Sequence, residues 1–307
     1  MRRIIIEAAV SGATKDRNRN TPRTITELTA DIAACIEAGA AIVHNHLENF
    51  SFTGRKAAQR YGTVWAPVLE RYPDAILIPT LTAPVPGDRL GNYRHVVAAI
   101  SHGASLAPID PGSVNMAASL PDGQPDPARS IAFVNAYDAL DGALDLYAAH
   151  VIPASISIWD PSFLRAAMAY ERAGRFAMGS FLKLFFGGRH SYLDGHRGIS
   201  FGLPPTVEAL DIYLQMMAGS RLPWAAAVIG DDILAESDFA AAVVDRGGHL
   251  RVGLEDYAEM DAPSNRELVE RAASFAAGRG RTPATISDAR AMLGLVRTTV
   301  TPSGAGR

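Results

Sequence analysis

Thr24–Leu47 reads TITELTADIAACIEAGAAIVHNHL, and the change of pattern half-way along it decides how the chain is organised. Leu28, Ile32 and Cys35 recur at the three- and four-residue intervals that place side chains on one face of a helix. Thr24 or Thr26 offers a hydroxyl to cap the start, and Gly39 can end the helix because glycine accepts the left-handed backbone found there. Beyond Gly39 the helical period stops. Ile42–Leu47 is a short, near-continuous apolar run, as expected of a strand covered on both faces. A helix running straight into a doubly buried strand is part of a βα repeat.

The same alternation recurs on either side. Ile4–Val10, Ala75–Leu81, Ser105–Ile109, Ser155–Trp159, Phe181–Phe186, Trp224–Ile229 and His249–Leu254 are runs of the same kind, which with Ile42–Leu47 gives eight strands. Amphipathic segments fill the gaps, among them PTVEALDIYLQMMAGS at 205–220 and DDILAESDFAAAVVDRGG at 231–248, the latter closing on a glycine pair. Eight parallel strands with helices between them predict an α/β fold of the (β/α)8 TIM-barrel type, which leaves no sheet edge exposed. A length of 307 residues with 48% hydrophobic composition suits one such catalytic domain over 1–307, with residues 301–307 (TPSGAGR) expected to fray.

Charge and composition narrow the function. The formal net charge is -3 and no run of five or six like charges occurs, so neither a nucleic-acid arm nor a membrane patch is expected. The N-terminal MRRIIIEAAV has too short an apolar run for a leader, and Glu7 interrupts it. Cys35 is the single cysteine, excluding an internal disulfide. A cytoplasmic enzyme of small molecules is the expectation. Two segments break the repeat: Pro111–Ser130 (PGSVNMAASLPDGQPDPARS) and Gly187–Gly202 (GGRHSYLDGHRGISFG). Both read as long loops following strands four and six, over the rim where barrel active sites are built.

Chemistry concentrates at two strand ends. In Val43-His44-Asn45-His46-Leu47 the alternation of a strand turns His44 and His46 to the same side, so two imidazoles can share one metal. In His249-Leu250-Arg251-Val252-Gly253-Leu254-Glu255-Asp256, residues Arg251, Gly253 and Glu255 share a parity, which places Glu255 at the mouth. Closing a barrel sets strand eight beside strand one and near strand two. Glu255 can then join the histidines in a two-histidine, one-carboxylate set with open positions, the pattern of a catalytic zinc site, though other divalent metals suit the same donors. Arg251 is costly to bury unless paired. It either braces the strand end through an ion pair or orients Asp256 as a base that removes a proton next to a metal-activated carbonyl.

Thr80 and Thr82 after strand three, and Ser113 with Asn115 after strand four, can bind a substrate carboxylate or simply close their loops. His95, His102, His150, His190 and His196 have no partner at ligand spacing, although His190 and His196 fall in a rim segment where they can touch substrate. Neither a G-x-x-x-x-G-K-[ST] phosphate loop nor a G-x-S-x-G elbow is present.

Those residues resemble the β-keto acid cleavage enzyme family. The resemblance is carried by AAVSGAT (8–14), EAGAAIVHNHLEN (37–49), IDPGSVNM (109–116), FLKLFFGG (181–188), GGHLRVGLEDY (247–257) and SNRELVERA (264–272). It implies a zinc (β/α)8 barrel, usually a homotetramer, with His44, His46 and Glu255 as metal ligands and Asp256 with Arg251 as a base dyad. It also implies the reaction: a β-keto acid and acetyl-CoA exchange acyl groups to give acetoacetate and a new acyl-CoA. Carboxylate contacts from strands three and four map onto Thr80 and Ser113. Thr14 stands where members that handle amino-bearing substrates carry an acid; threonine cannot neutralise an ammonium, so an amino-bearing β-keto acid is not expected. A family V-H-x-H is often followed by Arg-Asp, whereas Leu47-Glu48-Asn49 follows here, which again bears on the substrate. The competing readings are a CoA-independent metal lyase, aldolase or hydrolase on the same barrel, and a binding protein without catalysis.

Overall fold

A computed structural model describes residues 2–12, 18–49, 51–198, 200–235, 237–257 and 263–295. Thr14 and the tail at 301–307 lie outside them. The first half runs β1 (Arg2–Ile4), β2 (Ile6–Ala9), α1 (Ile25–Ala38), β3 (Ile42–Asn45), α2 (Gly54–Arg71), β4 (Ile76–Pro79), α3 (Gly91–Ala99) and β5 (Ala107–Ile109). An antiparallel hairpin follows, β6 (Val114–Ser119) with β7 (Pro125–Phe133). Next come α4 (Tyr137–Ala149), β8 (Ala154–Ile158), α5 (Pro161–Arg172), β9 (Phe181–Gly187), α6 (Val207–Met216), β10 (Trp224–Ile229), α7 (Ser237–Asp245) and β11 (His249–Val252). The described chain ends with α8 (Asn265–Gly278), β12 (Arg281–Pro283) and α9 (Ile286–Leu293).

Eight strands pair side by side in the order β4-β3-β2-β11-β10-β9-β8-β5. The remaining seam, between β4 and β5, is drawn together by Ser105 N donating to the Leu77 carbonyl at 2.9 Å and by a parallel bridge of Leu77 with Ala104. The result is the nearly closed (β/α)8 barrel that the alternating pattern predicts. Local signals work as the sequence dictates. Thr24, rather than Thr26, caps α1 in a reciprocal box with Glu27, and Gly39 ends it with φ 112°. Asp160 caps α5 ahead of Pro161, whose missing N–H costs nothing in a first turn.

Two departures from the sequence reading matter. Pro111–Ser130 is not a loop: most of it folds as the β6–β7 hairpin, whose apolar Met116 and Phe133 line the cavity at the barrel mouth. The predicted first strand is split. Only Ile6–Ala9 enters the barrel, while Arg2–Ile4 pairs with Arg281–Pro283, joining the two ends of the described chain beneath it.

Inside the barrel the lower layer is apolar. Ile5, Ile42, Ile76, Phe181 and Ala225, at the starts of their strands, are buried together with Ala289 and Leu293 of α9. Glu7, Lys183 and Arg251 follow higher on the same strands, above this plug. Among the described residues no helix is long and apolar enough to cross a membrane.

β11 stops two residues short of the predicted end because Gly253 has φ 146°, and a Cβ there would run into the Ala9 carbonyl. Gly253→Ala is therefore expected to destabilise the fold by about 2–4 kcal/mol, measurable as a lowered denaturant midpoint with unchanged slope.

Candidate active site

The pleat of β3 turns His44 inward, and His46 follows one residue past the strand. Ser11 fixes His46 by its backbone: the hydroxyl accepts from His46 N and donates to His46 O, each at 3.2 Å. The two imidazoles stand edge to face with centroids 5.3 Å apart. Glu255 arrives differently from the parity argument. After Gly253 the chain turns, Glu255 N donates to Ala9 O at 3.1 Å, and the side chain swings to the mouth. Gly12 makes the room, since a Cβ at that position would collide with the Glu255 side chain.

His44, His46 and Glu255 thus converge, all buried, with one ligand atom from each lying within 4.8 Å of the others. His44 Nε2 is 3.2 Å from Glu255 Oε2, and His46 Nε2 is 3.1 Å from Oε1. The donor chemistry fits a cation. His44 Nδ1 lies 3.1 Å from the Ile78 carbonyl, which can only accept, so Nδ1 carries the hydrogen. Burial pushes this imidazole down to about 4, leaving it neutral near pH 7. Its Nε2 lone pair then faces a carboxylate oxygen, acceptor against acceptor. A tetrahedral ion with bonds of roughly 2.0–2.1 Å would hold its ligand atoms about 3.3 Å apart, close to the observed separations. Charge points the same way: around this cluster the buried carboxylates Glu7, Asp110, Glu255 and Asp256 outnumber the buried cations Arg251 and Lys183.

Arg251 organises these carboxylates. It is 2% exposed. Nε and NH2 donate to the two oxygens of Asp256 at 2.9 and 2.8 Å, NH1 donates to Glu7 Oε1 at 2.9 Å, and NH2 lies 3.0 Å from Glu255 Oε2. The same Glu7 oxygen receives Lys183 Nζ at 3.4 Å. Burial works to raise Glu7 and Glu255, but the cations around them prevail: Lys183 and Arg251 hold Glu7 below its ordinary value, and Arg251 with the two histidines does so for Glu255. Asp256 goes the other way. Burial, helped by the negative charges of Glu255 and Glu7, pushes it up to about 6 in spite of Arg251.

Above this floor opens a cavity of about 460 Å³. His44, His46, Glu255, Arg251, Lys183, Asp110 and Ser157 reach it from the strands; Leu81, Met116, Ile131, Phe133, Trp159 and Tyr192 wall it from the loops and the hairpin. Thr80 and Thr82 line it. Thr80 is held by side chains: its N–H donates to Tyr61 Oη at 2.9 Å and its carbonyl accepts from His95 Nε2 at 2.7 Å. Tyr61 Oη in turn donates to Asn45 O at 3.1 Å, tying the histidine-bearing strand to the threonine-bearing one.

Not every candidate is brought in. Ser113 and Asn115 are exposed and absent from the cavity wall, because the hairpin carries them to its outer side; Ser113 Oγ accepts from Asn135 N at 2.9 Å. Asp256 sits behind Arg251, so only the arginine of that dyad faces the cavity. His190 turns to the Gly230 carbonyl at 2.8 Å, and His196 is exposed. Sequence reasoning passed over Lys183 and Asp110. The signal for Lys183 was present, since a lysine in FLKLFF breaks an apolar strand just as Arg251 does.

The family model for the β-keto acid cleavage enzymes matches residues 3–295, and this chain belongs to that family. Among curated relatives, the 3-oxoadipate:acetyl-CoA acetyltransferase of Cupriavidus necator is 29% identical over 299 residues, covering 95% of this chain and 94% of the relative. The 3-keto-5-aminohexanoate cleavage enzyme of Fusobacterium nucleatum is 25% identical over 302 residues, covering 96% and 99%. The solved apo structure of ObcA superposes with a TM-score of 0.67 at 18% identity, over 90% of this chain and 66% of that longer one. That likeness concerns the barrel alone.

Tyr61→Phe removes the acceptor of the half-buried Thr80 N–H and the buried bond to Asn45 O. A loss of about 1–3 kcal/mol is expected in chemical denaturation, with α2 still folded by far-ultraviolet circular dichroism.

Proposed function

We propose that this enzyme exchanges the acyl group of a β-keto acid with that of acetyl-CoA, releasing acetoacetate and a new acyl-CoA. The observation that carries the reading is the buried meeting of His44, His46 and the Glu255 carboxylate at the mouth of a family barrel. Acetyl-CoA as co-substrate is suggested by the name of the Cupriavidus relative. One barrel domain holds every residue the reading needs; a cytoplasmic homotetramer is its expected form, and exposed Val134 at the cavity rim is a surface a partner copy would cover.

In this reading His44, His46 and Glu255 hold one divalent ion, with zinc favoured by the two nitrogens and one oxygen. When bound, the ion would polarise a keto oxygen and raise the acidity of the neighbouring carbon. Thr80 and Thr82 present hydroxyls to the substrate at the end of β4. Asp256 takes the proton from that carbon, and its raised proton affinity suits a base working near neutral pH. It stands behind Arg251, so the transfer requires the guanidinium to release one of its two hydrogen bonds to the carboxylate. Glu7 keeps the other face of the guanidinium fixed while that happens. The apolar walls exclude water, which would otherwise compete with the thiol for the acyl group. On the sequence alone, Thr14 in place of an acid argues against an amino-bearing substrate.

A panel of β-keto acids incubated with acetyl-CoA, read by acyl-CoA mass, tests the reaction; turnover that needs no CoA would instead place the enzyme among simple lyases or hydrolases. His46→Ala should lose both its stoichiometric metal, by elemental analysis, and its activity. Asp256→Asn should keep the metal and lose at least about a hundredfold in kcat; full turnover in that variant would remove Asp256 as the base.

A further inference from the structure

Lys183 has no part in the roles assigned above, yet it projects from the middle of β9 into the cavity floor while being only 2% exposed. Burying an ammonium is expensive, and such groups persist where they are paired or used. Glu7 pairs with it, but thinly: one oxygen at 3.4 Å, and that oxygen already takes a 2.9 Å bond from Arg251. An ammonium has three donors. By contrast, Nε, NH1 and NH2 of Arg251 are all engaged by Asp256, Glu7 and Glu255. Of the two cations lining the cavity, Lys183 is therefore the one with donors to spare.

The cavity also lacks part of the carboxylate anchor expected of it. Ser113 and Asn115 face outward, leaving the neutral hydroxyls of Thr80 and Thr82 on that side. A β-keto acid brings a carboxylate onto a floor already rich in negative charge, so a free cationic donor among those groups has an evident use.

We propose that Lys183 is a substrate-binding residue whose ammonium donates to the carboxylate of the β-keto acid, with Glu7 holding it in place from below. This deepens the acyl-exchange reading and rests on it for the class of ligand, but it concerns recognition of an anion and requires no turnover. Burial, helped by the neighbouring Arg251, holds the proton affinity of Lys183 below its ordinary value in spite of Glu7, Glu255 and Asp110, and an arriving carboxylate would act on the side of those acids.

The test compares the binding of acetoacetate and of methyl acetoacetate, the same β-keto skeleton without the charge, by ligand-observed nuclear magnetic resonance titration. The wild type should prefer the acid, and in Lys183→Met the ratio of ester to acid dissociation constants should fall about tenfold or more, the worth of one charge-assisted hydrogen bond. If Lys183→Met does not fold, the ratio is read from Glu7→Gln/Lys183→Met, in which the buried pair is neutral on both sides. An unchanged ratio, equal weakening of acid and ester, or a wild type indifferent to the charge overturns the proposal. Should the ratio fall in a protein that never uses acetyl-CoA, the acyl-exchange reading fails and this one stands.

Discussion

A guanidinium sealed inside a barrel can persist only if its charge and its donors are answered where it lies, and Arg251 imposes that constraint on everything around it. Breaking one partner away from such a buried ion pair typically costs several kcal/mol, so Glu7, Glu255 and Asp256 are fixed relative to one another by the group they share. These carboxylates come from β2 and from the turn after β11, the strands that meet along one seam of the barrel. Holding them together draws Glu255 against the two imidazoles of the neighbouring strand. The ligand set at the mouth is in this sense a consequence of how the arginine below it is neutralised.

The cavity divides into two kinds of surface with different origins. Its charged floor is made by residues within the barrel strands, such as Glu7, Lys183 and Arg251, and by residues just past strand ends, such as Asp110 and Glu255. Its walls are made by Leu81, Met116, Phe133, Trp159 and Tyr192 from connections and from the β6–β7 hairpin. Trp159 ties these together, packing edge-on or tilted against Phe133, Phe185, Tyr192 and Phe201 with centroids 4.8–5.9 Å apart. Floor and wall can vary separately, which agrees with a family whose relatives carry different substrate names on one barrel.

The barrel was legible because doubly buried strands and capped helices are local signals, and the eight predicted runs each overlap a barrel strand. The meeting of His44, His46 and Glu255 was legible because two histidines at alternate positions and a glutamate at the end of another strand become meaningful once only one strand is known to separate them. Even so, Glu255 reaches the site through the turn at Gly253, which strand parity could not anticipate. The hairpin escaped because Pro, Gly, Ser and Asp dominate its sequence and only its packing over the mouth makes strands of it. For the same reason the sequence left open whether Ser113 and Asn115 bind a carboxylate or only close their loop. Lys183 was missed because its meaning depends on Glu7, 176 residues away in the chain.

His46 and Glu255 are separated by 209 residues, and Glu7 and Arg251 by 244. On a ribosome, both histidines are made long before the carboxylate that faces them, and the arginine that organises the centre is almost the last part of the barrel to appear. A growing chain can thus build much of its sheet while possessing none of the assembled centre. Joining of β11 to β2 completes the cylinder and the ligand trio in a single event, so the assembled trio is itself the marker of a finished barrel.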